Sequence, residues 1–157
     1  MSPLVFRLIL SLVLCCCLSA PLRAAESKPN AAKPEAKAQK KADLSGKAKK
    51  GKASHYARRF SGRKMANGKP MNPQSNAAAS RTLPLGTKAR VTNLENGRSA
   101  EVEIKDRGPY VEGRTIDVTP KTAEDLGMKQ EGVAPVEVAP IEVPQPDGSV
   151  KPGDGAH

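Results

Sequence analysis

Residues 82–119 read TLPLGTKARVTNLENGRSAEVEIKDRGPYVEGRTIDVT and carry the strongest secondary-structure signals of the chain. Apolar residues alternate with polar ones in two runs, which is typical of strands with one buried face. The alternating apolar positions are Ala89, Val91, Ala100, Val102 and Ile104. Asn96-Gly97 lies between the runs, and both residues tolerate the positive φ angles of a tight hairpin turn. The pattern therefore predicts a β-hairpin.

The second of these strands leads to Asp106, which is followed by Arg107-Gly108-Pro109. A carboxylate at a strand end before a forced turn is well placed to lie over a groove, because loops on a rigid scaffold commonly carry function. The same carboxylate could instead bond only the amides of its own turn, as aspartates in turns often do. The local sequence leaves both interpretations open.

Residues 1–25 have the pattern of a cleaved secretory signal, with Arg7 ahead of an apolar run and small residues near Ala25. The run is shorter than the roughly 20 apolar residues of a membrane anchor. All three cysteines, Cys15–Cys17, lie within it. A lipid anchor on one of them is the alternative, but none follows the small residue that lipoprotein signals carry. We therefore expect an exported chain whose mature form has no disulfide and no cysteine metal site.

Residues 26–50 are rich in Ala, Lys and Pro, which predicts a disordered linker. Eight lysines against three acidic residues give this segment a charge of 8 − 3 = +5, within a net charge of +10 for the chain. Such a segment could be drawn to an anionic wall or membrane surface, or could simply keep the linker soluble and extended. Nucleic acid is not an expected partner, because the charge lies in a tail and no recognition helix is evident.

The folded domain is predicted to span residues 51–143. Besides the hairpin, further strands are predicted, one of them from renewed alternation of apolar and polar residues at 133–143, whereas the small polar segment 76–81 has no decisive pattern. These further strands are expected at 51–57, 115–118 and 133–143. Several short strands favour a small β-barrel. Residues 144–157, with Pro and Gly throughout, are predicted to be a disordered tail.

A short helix is predicted after the strand at 115–118. Thr119 supplies a capping hydroxyl, and Pro120 suits the first helical position. Gly127 predicts the end of the helix. In the last strand, Pro135 and Pro140 predict an edge or a bulge.

Motif segments are spread over the whole domain. They are Gly51-x-Ala53-Ser54-x-Tyr56, Phe60-x-Gly62-Arg63, Ala66-Asn67-Gly68, Thr82-Leu83-Pro84-Leu85-Gly86-Thr87, Arg90-Val91-Thr92-Asn93-Leu94, Asp106-Arg107-Gly108-Pro109-Tyr110 and Gly113-Arg114-x-Ile116-Asp117-Val118. In these residues the domain resembles the RlpA family of rare lipoprotein A proteins, the septal-ring lytic transglycosylases. The resemblance implies an all-β fold, a six-stranded double-psi β-barrel with one or two short helices, here flanked by disordered tails.

The resemblance also implies the function. Such enzymes cleave the MurNAc–GlcNAc bond of peptidoglycan glycan strands without water and leave a 1,6-anhydro-MurNAc end. They act in the periplasm or cell envelope of a bacterium. The resemblance implies peptidoglycan as the partner and no cofactor, and we expect a monomer. Asp106 matches the acidic residue of the family motif, which would serve as acid and then as base.

Two departures from the family pattern bear on activity. Lys69 stands where the family usually has Glu, and Ser80 stands where it usually has His. A cation close to Asp106 would favour the ionised carboxylate and make it a poorer acid, and a serine does not titrate near neutrality. The alternative function is therefore a catalytically impaired, expansin-like module that binds peptidoglycan.

Asp117 is the second candidate catalytic residue, because expansin-like relatives have an Asp facing the groove in a similar motif. It could instead be structural, at the start of the helix. Further positions are candidates for substrate binding, among them aromatic residues that can stack on sugar rings and arginines that can pair with carboxylates. They are Tyr56, Phe60, Asn67, Lys69, Ser80, Arg107, Tyr110 and Arg114. His55 and His157 lack partners at metal-ligand spacing, so no metal site is expected.

Overall fold

The computed structural model describes residues 41–157, so the predicted signal at 1–25 and most of the predicted linker lie outside the described residues. The described part is built almost entirely from strands, with one α-helix and two 3-10 turns. In chain order they are β1 (Lys49–His55), a 3-10 turn (Arg58–Phe60), β2 (Ala77–Ser80), β3 (Lys88–Asn93), β4 (Ser99–Asp106), β5 (Arg114–Val118), α1 (Pro120–Asp125), β6 (Val133–Pro144), β7 (Val150–Pro152) and a 3-10 turn (Asp154–Ala156).

Six strands form a closed barrel. Neighbouring strands follow the order β1-β5-β2-β4-β3-β6, and β6 pairs again with β1 to close the ring. The β1–β5 and β2–β4 pairs are parallel, and the other barrel pairs are antiparallel. This confirms the prediction of a six-stranded, all-β double-psi barrel. A seventh strand, β7, extends the sheet at the outer edge of β6.

The predicted hairpin is confirmed as β3 and β4. Gly97 lies in the connecting turn with a φ angle of 72°, a conformation that glycine adopts without strain. Alternate residues of both strands enter the core, including Val91, Val102 and Ile104. They pack with side chains from the other barrel strands and from α1 and the turn after it, chiefly Ile116, Val118, Leu126, Met128 and Val136. Burial of these apolar side chains is the main stabilising contribution to the barrel.

The helix and the last strand also follow the sequence signals. The Thr119 side chain accepts a hydrogen bond from the backbone N–H of Thr122 and caps α1, whose first residue is Pro120. Opposite Pro140, the register between β3 and β6 shifts, which is the bulge that proline predicts.

The structure differs from the predicted disordered tail at 144–157. Residues 150–152 pair with β6, and the segment that follows contacts the chain just before β1. Asp154 accepts a hydrogen bond from the Ala48 N–H (2.9 Å) and donates its own N–H to the Gly46 carbonyl (2.9 Å). The backbone fits because Gly153 has no side chain, since a Cβ there would lie 2.3 Å from the Pro140 oxygen.

The predicted linker and domain boundary also differ from the structure. Strand β1 begins at Lys49 rather than Gly51 and pairs with β6 from its first residue. Asp43 is already attached to the barrel through its N–H bond to Thr82 O (2.8 Å) and its ion pair with Lys49. Within residues 41–157, no helix is long and apolar enough to cross a membrane.

Candidate active site

Asp106 ends β4 and receives hydrogen bonds from two distant segments as well as from its own turn. Its Oδ2 accepts a bond from the Tyr56 hydroxyl (3.1 Å), and its Oδ1 accepts from the backbone N–H groups of Ala66 (2.9 Å) and Arg107 (2.8 Å). Asp106 thus does bond its own turn, as one interpretation of the sequence held. The bonds from Tyr56 and Ala66 fix the orientation of the carboxylate across the barrel end.

A cleft with a volume of about 210 Å³ opens beside this carboxylate. Its lining consists of Tyr56, Phe60, Arg63, Lys64, Met65, Met71 and Asp106. Two of the three predicted aromatic residues are therefore brought together with Asp106. The Tyr56 and Phe60 rings meet edge to face, with centroids 6.0 Å apart. Both pack on a small cluster that contains the buried side chains of Met65, Met71 and Ala77.

Tyr56 is a permanent donor to Asp106. Burial raises the pKa of the Tyr56 hydroxyl well above its ordinary value, and the negative charge of Asp106 and the hydrogen bond to it raise it further. The hydroxyl therefore keeps its proton throughout the physiological pH range, and it can hold the Asp106 oxygen in place.

Asp117 lies on β5 in a second polar cluster. Its Oδ1 accepts a hydrogen bond from the buried Ser54 hydroxyl, and Ser54 Oγ in turn accepts a bond from the Arg114 guanidinium (2.9 Å). Burial raises the pKa of Asp117, although the Ser54 bond and the Arg114 charge act in the opposite direction. A carboxyl group of this kind retains its proton to a higher pH than an exposed one.

Strand β2 brings the two aspartates to the same level of the barrel. Ala79 on β2 pairs with Asp106 on one side and with Asp117 on the other. The charge of Asp106 is one of the influences that raise the pKa of Asp117. The two carboxyl groups are therefore electrostatically coupled, but Asp106 is the one that lines the cleft.

Asn67 and Lys69 lie in the exposed turn that supplies the Ala66 N–H to Asp106. The Asn67 side chain accepts the Lys69 N–H (3.0 Å), and the Met65 N–H bonds the Lys69 carbonyl (2.9 Å). These bonds shape the turn. Among the ion pairs of residues 41–157, none joins Lys69 to Asp106, and Lys69 is not among the residues that line the cleft.

Ser80 and Arg107 are placed in the barrel wall. Ser80 is 1% exposed, and its hydroxyl accepts the N–H groups of Thr82 (3.3 Å) and Leu83 (3.2 Å). The Arg107 guanidinium donates to the carbonyl oxygens of Ser80 (3.2 Å) and Leu83. Neither residue is among those that line the cleft, and both stabilise the connection between β2 and β3.

Tyr110 lies in the loop that follows Asp106 and is 61% exposed. Its neighbour Val111 is also exposed, so this loop presents an aromatic and an apolar side chain to solvent next to the turn of Asp106. Arg114, at the start of β5, is instead engaged with Ser54. The predicted binding residues thus separate into cleft, loop and wall positions.

The site also contains three residues for which the sequence predicts no role: Ser54, Met65 and Met71. Ser54 belongs to the Gly-x-Ala-Ser-x-Tyr segment, and its place in that motif was the available signal. The methionines form the base of the cleft, which only the folded loop reveals. Within the described residues there is no group of three His, Cys, Asp or Glu side chains that could hold a metal ion.

The matches to known proteins agree with this architecture. A family model described as lytic transglycolase matches residues 43–138. The chain belongs to this family. The match covers every barrel strand except the second half of β6, and it includes both aspartates of the site.

Curated relatives are named as peptidoglycan transglycosylases. The chain is 51% identical over 90 residues to the probable endolytic peptidoglycan transglycosylase RlpA of Nostoc, covering 56% of this chain and 24% of that protein. It is 44% identical over 101 residues to the endolytic peptidoglycan transglycosylase RlpA of Pasteurella multocida, covering 64% of this chain and 34% of that protein. The chain thus spans about a quarter to a third of the length of these relatives.

Among solved structures, the Streptomyces papain inhibitor matches with a TM-score of 0.45 and 22% identity, covering 59% of this chain and 92% of that one. The expansin of Clavibacter michiganensis matches with a TM-score of 0.46 and 20% identity, covering 60% of this chain and 50% of that one.

Proposed function

We propose that this protein is an endolytic lytic transglycosylase that cleaves MurNAc–GlcNAc bonds in peptidoglycan glycan strands, with Asp106 as acid and base. The observation that carries the proposal is the position of Asp106. Its carboxylate lines a cleft that also contains the rings of Tyr56 and Phe60, and it is oriented by the Tyr56 hydroxyl and two backbone N–H groups. The family name of the curated relatives supports the same substrate.

The reaction needs one carboxyl group that changes its protonation state twice. Asp106 gives a proton to the glycosidic oxygen as the bond to the muramyl anomeric carbon breaks. The C6 hydroxyl oxygen of the same muramyl residue bonds to that carbon and closes the 1,6-anhydro ring. The proton of the C6 hydroxyl returns to Asp106. No water is consumed, so the site has no need of a second carboxylate to activate one, unlike an inverting glycosidase.

Asp117 would act through its electrostatic coupling to Asp106. Burial raises the pKa of Asp117, so it releases its proton at a higher pH than an exposed carboxyl group does. We propose Asp117 as the second catalytic residue, with Ser54 and Arg114 as its positioning residues.

We also propose sugar-stacking roles for the aromatic residues of the site. Tyr56 and Phe60 present an edge-to-face pair in the cleft, and Tyr110 is exposed on the loop after Asp106. Aromatic faces of this kind stack on sugar rings.

The signal-like segment at 1–25 supports export to the cell envelope, where peptidoglycan lies.

A wall-binding module with little catalytic activity is the second candidate. One observation favours it: the Ser80 hydroxyl is buried and already occupied by the N–H groups of Thr82 and Leu83. The position that holds His in the family pattern therefore contributes no titratable group, and its hydroxyl is buried and does not line the cleft. Lys69, likewise, brings an ammonium group where the family pattern has a carboxylate.

Digestion of purified sacculi, followed by mass spectrometry of the soluble products, tests the proposal. The wild-type chain should release anhydro-muropeptides, and Asp106→Asn should lose this activity by about 10²-fold or more, the usual contribution of a general acid or base. Glu131→Gln is the matched control, because it removes an exposed carboxylate outside the cleft. Wild-type binding to sacculi without anhydro products would support the wall-binding module instead.

The variant Lys69→Glu separates the two candidates further. If Lys69 limits an otherwise competent site, its replacement by Glu should increase the release of anhydro products. If neither wild type nor Lys69→Glu releases them, the transglycosylase proposal fails for this chain.

A further inference from the structure

One side of the cleft is formed by a segment of the sequence that is rich in Lys and Arg and contains no Asp or Glu. Residues 44–94 contain twelve Lys and Arg residues and no Asp or Glu. Five of these cations lie on the exposed segment that forms one side of the cleft: Arg58, Arg59, Arg63, Lys64 and Lys69. Within residues 41–157, the ion pairs of the structure involve none of the five. Such a concentration of uncompensated positive charge favours an anionic ligand.

Two of these cations are held in place by an aromatic ring. The guanidinium carbons of Arg59 and Arg63 lie 5.1 and 5.6 Å from the centroid of the Phe60 ring, within cation–π range. We call Arg59 and Arg63 the arginine pair. A guanidinium that stacks on a ring keeps its N–H edge free for a second partner and loses less side-chain entropy when that partner binds.

The backbone beneath the arginine pair is also fixed. The Gly62 N–H bonds the Met71 carbonyl (2.9 Å), and the Met71 N–H bonds the Arg63 carbonyl (2.8 Å). Arg63 is thus tied to the buried methionine cluster that forms the base of the cleft. A preorganised cation lowers the cost of binding, because the loop does not have to be ordered first.

The carboxylate of the site does not neutralise these arginines. Asp106 lines the same cleft as Arg63, but it is bonded to Tyr56, Ala66 and the Arg107 N–H, and it forms no ion pair with Arg63. The guanidinium fork matches a carboxylate in bidentate geometry. The structure therefore leaves a carboxylate-binding group beside the candidate catalytic residue.

We propose that Arg59 and Arg63, stacked on Phe60, bind a carboxylate carried by the glycan strand next to the bond placed at Asp106. This inference rests on the proposed function, since it assumes a peptidoglycan strand in the cleft. The carboxylate has two sources in peptidoglycan. One is the lactyl group of a muramyl residue that has lost its peptide, and the other is the stem peptide itself.

Co-sedimentation of the purified chain with three glycan preparations tests the proposal. They are intact sacculi, sacculi stripped of stem peptides by an amidase, and sacculi whose carboxylates have been converted to neutral amides. Wild type should bind the amidated material roughly tenfold more weakly than intact sacculi, which is the loss expected for charge-assisted contacts. Raising the salt concentration should reduce only the carboxylate-dependent part of the binding.

The variants assign this effect to the arginine pair. Arg59→Gln combined with Arg63→Gln should weaken binding to intact sacculi by a similar factor and leave binding to amidated sacculi unchanged. Lys121→Gln combined with Lys129→Gln removes the same charge from two surface ion pairs elsewhere and should bind like wild type. Arg63→Lys keeps the charge but loses the fork, and should be intermediate.

Each outcome has one meaning. If the arginine dependence persists on amidase-treated sacculi, the ligand is the lactyl carboxylate, and if it disappears there, the ligand is the stem peptide. Equal binding of wild type to amidated and intact sacculi overturns the proposal, as does an equal loss in the lysine control. Arginine-dependent binding without anhydro products would refute the proposed catalysis and leave the carboxylate site standing.

Discussion

Replacing Tyr56 by Phe isolates a single hydrogen bond of the site. The substitution removes the hydroxyl that bonds Asp106 at 3.1 Å and keeps the ring that meets Phe60 edge to face. A hydrogen bond to a charged partner contributes about 1.5–3 kcal/mol net. Both groups are partly exposed, so we expect a loss near the lower end, about 1–2 kcal/mol in the free energy of unfolding.

Urea denaturation at neutral pH measures this loss directly. The midpoint should fall while the slope stays constant, because the substitution does not change the surface exposed on unfolding. The melting temperature should fall by roughly 4–10 °C for a domain of this size. Tyr110→Phe is the matched control, since that hydroxyl lies on a residue that is 61% exposed, and its removal should change stability by less than about 0.5 kcal/mol.

The pH dependence provides a second test of the same contact. The pKa of Tyr56 is raised above its ordinary value of 10.0, so the folded state holds this proton more tightly than the unfolded state. Its contribution is complete below the ordinary value and is lost as the pH rises towards the folded-state pKa. The stability difference between wild type and Tyr56→Phe should therefore shrink above about pH 10. The reasoning would be refuted if Tyr56→Phe lost no more stability than Tyr110→Phe, or if the stability difference between wild type and Tyr56→Phe grew with pH.

Three further substitutions test other parts of the structure. Burial raises the pKa of Asp117 above its ordinary value of 3.8, so wild type loses stability as the pH rises through the folded-state pKa. Urea titrations at about pH 3 and about pH 7 should therefore show that the stability of Asp117→Asn relative to wild type is greater at the higher pH. An equal stability difference at the two pH values would contradict this. Met71→Ala should cost about 2–5 kcal/mol because it leaves a cavity beneath the cleft, and it should also weaken sacculus binding in co-sedimentation. Gly153→Ala should cost about 1–3 kcal/mol in thermal unfolding, because its methyl group would lie 2.3 Å from the Pro140 oxygen, without affecting sacculus digestion well below the melting temperature.

The sequence was sufficient to predict those strands that have one buried face. In β3 and β4 the alternation of Val91, Val102 and Ile104 with polar residues reports the core directly. It failed for β2, where Ala77, Ala78, Ala79 and Ser80 are all buried and no alternation exists. A strand that is covered on both faces carries no period-2 signal, and small residues carry no hydrophobic signal either.

The prediction for the carboxyl-terminal segment was wrong for a different reason. Pro and Gly dominate residues 144–157, and this composition is ordinarily that of a disordered chain. Here the glycines allow close approach, because a side chain at Gly153 or Gly155 would collide with carbonyl oxygens of β6. The same residues that remove local structural preference thus permit a contact that only the folded barrel offers.

The arrangement of the candidate site also could not be predicted from the sequence, because it depends on how β2 pairs with its neighbours. Ala79 pairs with Asp106 on one side and Asp117 on the other, at sequence separations of 27 and 38 residues counted from their numbers. Nothing local to either aspartate indicates that they share a level of the barrel, because that relation is set by the register of a strand that precedes both. The Tyr56 and Ala66 donors reach Asp106 from 50 and 40 residues away for the same reason. Motif resemblance could supply the names of these residues, but only the strand pairing makes them one site.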